Sequence, residues 1–220
     1  MQLKKTFKTL INLLLRPLSY KMTRKGLRHI LIDEYDVTRK LYHKSIDQIQ
    51  SFYAEFIDKN YSFSNKRTEL LQKLQGTEIT EALYIISSIR NTISLDGDIC
   101  EFGIAQGATS TLMCNEIVSS EKSIWLFDSF EGLSVPTEKD ILIDDISNFG
   151  SMENYAGSMA VPVTSVLKKL KNINFPKNRV KIIPGFIEKS ILQNNLPKKV
   201  SFAYVDFDFY EPIKIALNFL

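Results

Sequence analysis

Cysteine and histidine are nearly missing: the 220 residues hold two of each, with a single tryptophan. Cys100 and Cys114 have no Cys-x-x-Cys spacing and no histidine beside them, which argues against a zinc site and a disulfide framework. The pair reads as two buried, reduced thiols of a cytoplasmic protein. His29 and His43 fall in the N-terminal part with no third histidine, and read as surface or packing residues. No apolar run approaches the roughly 20 residues of a membrane span. No Gly/Ser- or Pro-rich linker, repeat or low-complexity block divides the chain, so the expectation is one core with an appendage.

Acid is missing from residues 1–28, where eight Lys/Arg stand alone, leaving 20 basic against 25 acidic residues in the rest. Leu3, Phe7, Leu10, Ile11, Leu14 and Leu18 recur at helical spacing, with Lys5, Lys8, Asn12 and Arg16 largely off that face. Such a basic amphipathic helix packs on its own domain or on a second subunit of a homo-oligomer, or makes peripheral membrane contact through residues 1–20. Arg16-Pro17 in place of a small-residue cleavage site argues against a secretory signal. The basic residues are not interleaved with a nucleic-acid reading module, so no nucleic-acid partner is expected.

Residues 1–93 read as helical. Leu41, Ile49, Phe52, Tyr53 and Phe56 mark one segment, and Leu70, Leu71 and Leu74 another that ends at Gly76. Thr77 is read as the N-cap of a helix carrying Ile79, Leu83, Ile86 and Ile89. Strands are expected at 99–102, 123–127, 179–183 and 200–205, with helices at 108–119, 163–170 and from 212 onward. Strands separated by helices predict an α/β fold with a parallel sheet wrapped on both faces. The segment from 129 to 160 is too long for a connector. Its acids (Glu138, Asp140, Asp144, Asp145, Glu153) and its Phe149, Met152 and Tyr155 suit a substrate cover.

In parallel sheets ligands bind beyond the carboxyl ends of the strands, and the notable residues gather there. Glu101-Phe102-Gly103-Ile104-Ala105-Gln106-Gly107 is a strand-to-helix turn whose glycines free backbone N–H groups for a polar ligand. Asp128 ends the next strand about 20 residues on, where a carboxylate accepts from a ribose diol. The wide glycine spacing leans away from a pyrophosphate and NAD, towards a ribose-bearing ligand without phosphate such as S-adenosylmethionine. Asp206 and Asp208, at i and i+2, share a face if the strand persists, and two converging carboxylates suit Mg²⁺. The bland alternative is an acidic strand end capping the next helix.

Three further strings, 126–133 (Leu-Phe-Asp-Ser-Phe-Glu-Gly-Leu), 183–186 (Ile-Pro-Gly-Phe) and 204–210 (Tyr-Val-Asp-Phe-Asp-Phe-Tyr), join the 97–107 segment. Together they resemble the macrocin O-methyltransferase family of class I, S-adenosylmethionine-dependent enzymes acting on sugar hydroxyls. The likeness runs from about residue 66 to the end. It divides the chain into a helical basic extension, 1–65, and a Rossmann-like methyltransferase domain, 66–220. It implies that Glu101, Gly103, Ala105 and Gly107 hold the methionine end of the cofactor. Asp128 and Ser129 would meet the ribose and Phe186 the adenine. Asp206 and Asp208 would ligate Mg²⁺, with Asp206 also the catalytic base, and the acceptor is a glycan or glycosylated small molecule. The family's sheet has later strands, and its other metal carboxylates lie beyond them. A chain ending at Leu220 is therefore read as cut short and, as written, not a competent enzyme. Competing readings are a nicotinamide- or nucleotide-using enzyme on a similar sheet, and a truncated, non-catalytic cofactor-binding or membrane-associated protein.

Overall fold

The computed structural model describes residues 21–23, 26–28, 32–143, 145 and 148–220. The amphipathic segment of residues 1–20, His29 and Asp144 lie outside them, as does the side chain of His43. Two compact units divide the chain, Met1–Ile57 and Asp58–Leu220.

In the first unit, strands β1 (Lys21–Thr23) and β2 (Gly26–Arg28) form an antiparallel pair. Helix α1 (Ile32–Phe56) follows. The hairpin corrects the expectation of helix throughout 1–93: a pattern of charged and apolar residues that covers little more than two turns of helix is equally served by a two-strand ribbon. A second correction falls at 57–64, which is turn and extended chain.

The second unit runs α2 (Asn65–Gln72), α3 (Ile79–Thr92), β3 (Asp98–Phe102), α4 (Ala108–Ile117), β4 (Ile124–Asp128), α5 (Val163–Asn172), β5 (Val180–Pro184), α6 (Ile187–Ser190), β6 (Val200–Val205) and α7 (Tyr210–Phe219). The four later strands form one parallel sheet in the order β5-β4-β3-β6. Central strands β3 and β4 are buried on both faces, which is why they read as continuous apolar runs.

Strand alternation assigns each residue of β3 to a layer. Ile99 joins Ile124, Leu126, Met113, Cys114, Ile117, Val166 and Leu170, so α4 and α5 cover that face together with Ile85 and Ile89 of α3. Cys100 and Phe102 join Trp125, Phe127, Ile183, Ile187 and Ala216, so α6 and α7 cover the other. Phe102 stacks on Phe127 with centroids 4.5 Å apart, and Phe219 of α7 meets both rings. Glu101 shares the Ile99 face, which aims a carboxyl at α4.

The backbone ladder continues one residue past the strands. Gly103 N donates to Phe127 O (2.9 Å), Gly185 N to Asp128 O (3.0 Å) and Asp206 N to Phe102 O (2.8 Å). Three residues of the expected site are thereby held in register by the sheet itself.

Candidate functional site

The two ends of the sheet differ in how their polar groups are satisfied. At the amino ends, buried Lys122 donates to Leu95 O, Gly97 O and Ser201 Oγ at 2.6–2.9 Å. Arg179 donates to the carbonyls of Ile117, Val118 and Lys122 there, closing the C-terminus of α4. At the carboxyl ends, buried Glu101 Oε1 and Ser134 Oγ have no partner, and both residues line a cavity of about 380 Å³. A buried polar atom without a partner costs stability unless a ligand or water meets it. Two of the buried unpartnered polar atoms among the described residues thus belong to residues that line this cavity.

Glu101 sits at its floor, 1% exposed. Ser110 of α4 donates to its Oε2, leaving Oε1 buried and without a partner. Burial pushes this carboxyl well above the usual 4.5, the Ser110 hydrogen bond opposes that, and the negative charges of Asp206 and Asp128 add to it. Gly103 (φ +85°) is required: a Cβ there would stand 2.3 Å from Asp206 O. Ala105 lines the cavity and holds φ +45°, a costly conformation for a residue with a Cβ. Gly107 does not line it; in the left-handed region it opens α4 beneath Val166.

Asp128 also lines the cavity, but its carboxylate already accepts three backbone N–H groups. Ile104 N and Ala105 N reach Oδ2 at 2.7 and 3.2 Å, and Phe130 N reaches Oδ1 at 2.7 Å. It thus ties the glycine turn to the β4 end and keeps about one of its four lone-pair sites for a ligand. Ser129 is bound up in the next turn, donating to Gly132 O and accepting from Glu131 N. Phe186 lines the cavity at the N-terminus of α6.

Asp206 and Asp208 both line the cavity, yet not by strand alternation: β6 stops at Val205, so both belong to the turn before α7. Although both residues are exposed at the mouth, the protein around them pushes each carboxyl up; Asp208 is raised further by Asp206 and Asp128, and Asp206 by Glu81. A hard cation would reverse that repulsion. Among the described residues, no group of three or more His, Cys, Asp or Glu is assembled for a metal.

The 129–160 segment is anchored at three points. Its ends zip together where Leu133 N donates to Ser158 O (2.9 Å) and Gly157 N to Leu133 O (2.8 Å). Asp140 accepts from Thr137 N and from Tyr210 N at the start of α7, fixing the segment beside the Asp206–Asp208 turn. Asp145 gathers Phe149 N, Gly150 N and the Tyr155 hydroxyl, all at 2.8 Å. Those amide and phenol donors hold its carboxyl below the usual range. Leu133, Ser134 and Met159 from this segment line the cavity.

Sequence reasoning missed the opposite wall, made by Gln75, Gly76 and Thr77. Thr77 is not the N-cap of α3; Glu78 holds that position without a side-chain bond, and Thr77 Oγ1 instead pairs with Thr109 Oγ1 at 2.6 Å. Gln106 donates to Gln75 O. The only local signal was Gly76, in the left-handed region between two helices.

A parallel α/β sheet with a cavity at its carboxyl ends, a glycine turn after the central strand and an acid ending its neighbour defines a methyltransferase-type fold. Solved structures share it. The O-methyltransferase NovP superposes with a TM-score of 0.56 at 18% identity, over 83% of this chain and 78% of that one. The calicheamicin methyltransferase CalS11 gives 0.54 at 19% identity, over 80% and 71%. No curated protein matches the chain. Residues 71–220 match the macrocin-O-methyltransferase (TylF) family, and the chain belongs to that family. No helix among the described residues is long and apolar enough to cross a membrane.

Proposed function

We propose that this protein transfers a methyl group from S-adenosylmethionine to a hydroxyl of a sugar on a glycan or glycosylated small molecule. The observation that carries the reading is the buried, unpartnered Glu101 Oε1 in a cavity whose other walls hold the residues of the family motifs. The cofactor, when bound, supplies a methyl group on a positively charged sulfur. Glu101, Gly103 and Ala105 would receive its methionine end, where a buried carboxyl meets an ammonium group and a glycine lets backbone approach. Asp128 would offer its remaining acceptor capacity to the ribose, with Ser129 shaping the turn beside it, and Phe186 would flank the adenine. Gly107 would contribute by setting the entry of α4.

Asp206 would accept the proton that the acceptor hydroxyl must lose. With Asp208 it would also hold Mg²⁺, which uses few carboxylates and keeps several waters, so two acids meet its needs. The ion supplies positive charge that makes a hydroxyl easier to deprotonate and align.

Calorimetric titration with S-adenosylhomocysteine and with NAD separates this reading from a nicotinamide enzyme: binding of the first and not the second is expected. Transfer of labelled methyl from S-adenosylmethionine to nucleotide-activated sugars and glycosides, lost with EDTA and restored by Mg²⁺, tests the rest. Tight NAD binding without S-adenosylhomocysteine binding would overturn the proposal. Turnover untouched by EDTA would leave the two acids without a metal role.

A further inference from the structure

Behind Asp206 lies a contact between Tyr204, the first residue of the 204–210 string, and Glu81, which none of the motif strings includes. The Tyr204 hydroxyl stands 3.0 Å from Asp206 Oδ2 and 2.8 Å from Oε1 of Glu81, which belongs to the first turn of α3. Tyr204 is on β6, so its ring is set by the sheet, and neither Tyr204 nor Glu81 is among the residues lining the cavity. A phenol has one proton, so it donates to only one of the two carboxylates at a time. Glu81 and Asp206 thus share the single donor, which stands between the two carboxylates.

The geometry points to Tyr204 and Glu81 as positioning residues for Asp206. The Tyr204 O–H holds the Asp206 side chain in the rotamer that presents it beside Asp208, and Glu81, through its own contact with the hydroxyl, keeps the phenol in reach. Two side chains outside the cavity thus set how well the Asp206–Asp208 pair receives a divalent ion. The inference rests on reading that pair as a cation site, and the test separates the two.

Mn²⁺ alone serves as probe, its binding to the full chain followed by electron paramagnetic resonance with S-adenosylhomocysteine present. Asp206→Asn is expected to abolish Mn²⁺ binding. Tyr204→Phe should weaken it roughly fivefold to tenfold, the loss of one charge-assisted hydrogen bond, while leaving S-adenosylhomocysteine affinity unchanged. Glu81→Gln should have a smaller effect, and the Tyr204→Phe/Glu81→Gln double variant should match Tyr204→Phe alone, because Glu81 acts only through the hydroxyl. A merely structural role would lower the affinity for S-adenosylhomocysteine as well and make the two substitutions additive; either result overturns the inference. Mn²⁺ binding lost in Asp206→Asn but intact in Tyr204→Phe overturns it while sparing the cation site. Equal binding, or none, in wild type and Asp206→Asn removes the cation site and the inference with it.

Discussion

On the proposed function, Glu101 trades stability against binding. Burial holds its proton, so its pKa in the folded protein lies above the 4.5 of an exposed carboxyl. The linkage sign follows: the folded state binds the proton more tightly, so this contribution to stability is full below about pH 4.5 and is lost as pH rises towards the folded value. Glu101→Gln keeps the shape without the titration. The variant is expected to be more stable than wild type by a margin that grows from pH 4 to pH 8, while binding S-adenosylhomocysteine at least about tenfold more weakly, as for a lost charge-assisted bond. Urea midpoints at pH 4, 6 and 8 check it, and a margin that shrinks with pH would contradict the assignment. Gly103 and Gly185 make a second comparison at this scale. Both have positive φ, but a Cβ on Gly185 meets nothing within 4 Å, whereas on Gly103 it strikes the Asp206 carbonyl. Gly185→Ala should cost about 1 kcal/mol of backbone strain. Gly103→Ala should cost several times that and part the β3 and β6 ends, read as a large fall in Tm with loss of S-adenosylhomocysteine binding.

Elements were legible where a short-range pattern decides them. The apolar runs at β3 and β4 and the three- and four-residue steps of α3 follow from burial on two faces and on one. Asp206 and Asp208 were found, but for a geometric reason that fails: the strand ends at Val205, and a turn brings them together. The hairpin of β1 and β2 and the Gln75–Thr77 wall were not legible, because a two-strand ribbon and a wall made by contact across about 30 residues leave no periodicity. The 129–160 segment was recognised by length, yet its anchors depend on partners distant in sequence: Asp140 finds Tyr210 N 70 residues away, at 2.8 Å. That contact works as an N-cap supplied from another segment, and a lost cap costs about 1 kcal/mol. Asp140→Ala should therefore lower stability by about that much. It should also raise hydrogen exchange at residues 137–140 and at the start of α7 together. Faster exchange in only one of the two would show that the segment is not held through this carboxylate.

Across the described residues, each one lining the cavity lies at position 75 or later, inside the unit Asp58–Leu220. Both halves of the polar asymmetry along the sheet belong to the same unit: Lys122 and Arg179 at the satisfied end, Glu101 and Ser134 at the unsatisfied one. Recognition of the cofactor should then be a property of residues 58–220 alone. A fragment spanning them is expected to bind S-adenosylhomocysteine within about twofold of the full chain, since no lining group is removed. Ligand at 100 times its Kd stabilises a folded state by about 2.7 kcal/mol. For a domain of this size that corresponds to a rise in Tm of roughly 5–11 °C. The same rise should appear in the fragment and in the full chain, with NAD producing none in either. Differential scanning fluorimetry across a ligand series reads both. A fragment that folds cooperatively but shows no shift where the full chain does would mean that the first 57 residues contribute to the site, and that the cavity at the carboxyl ends of the sheet is only part of it.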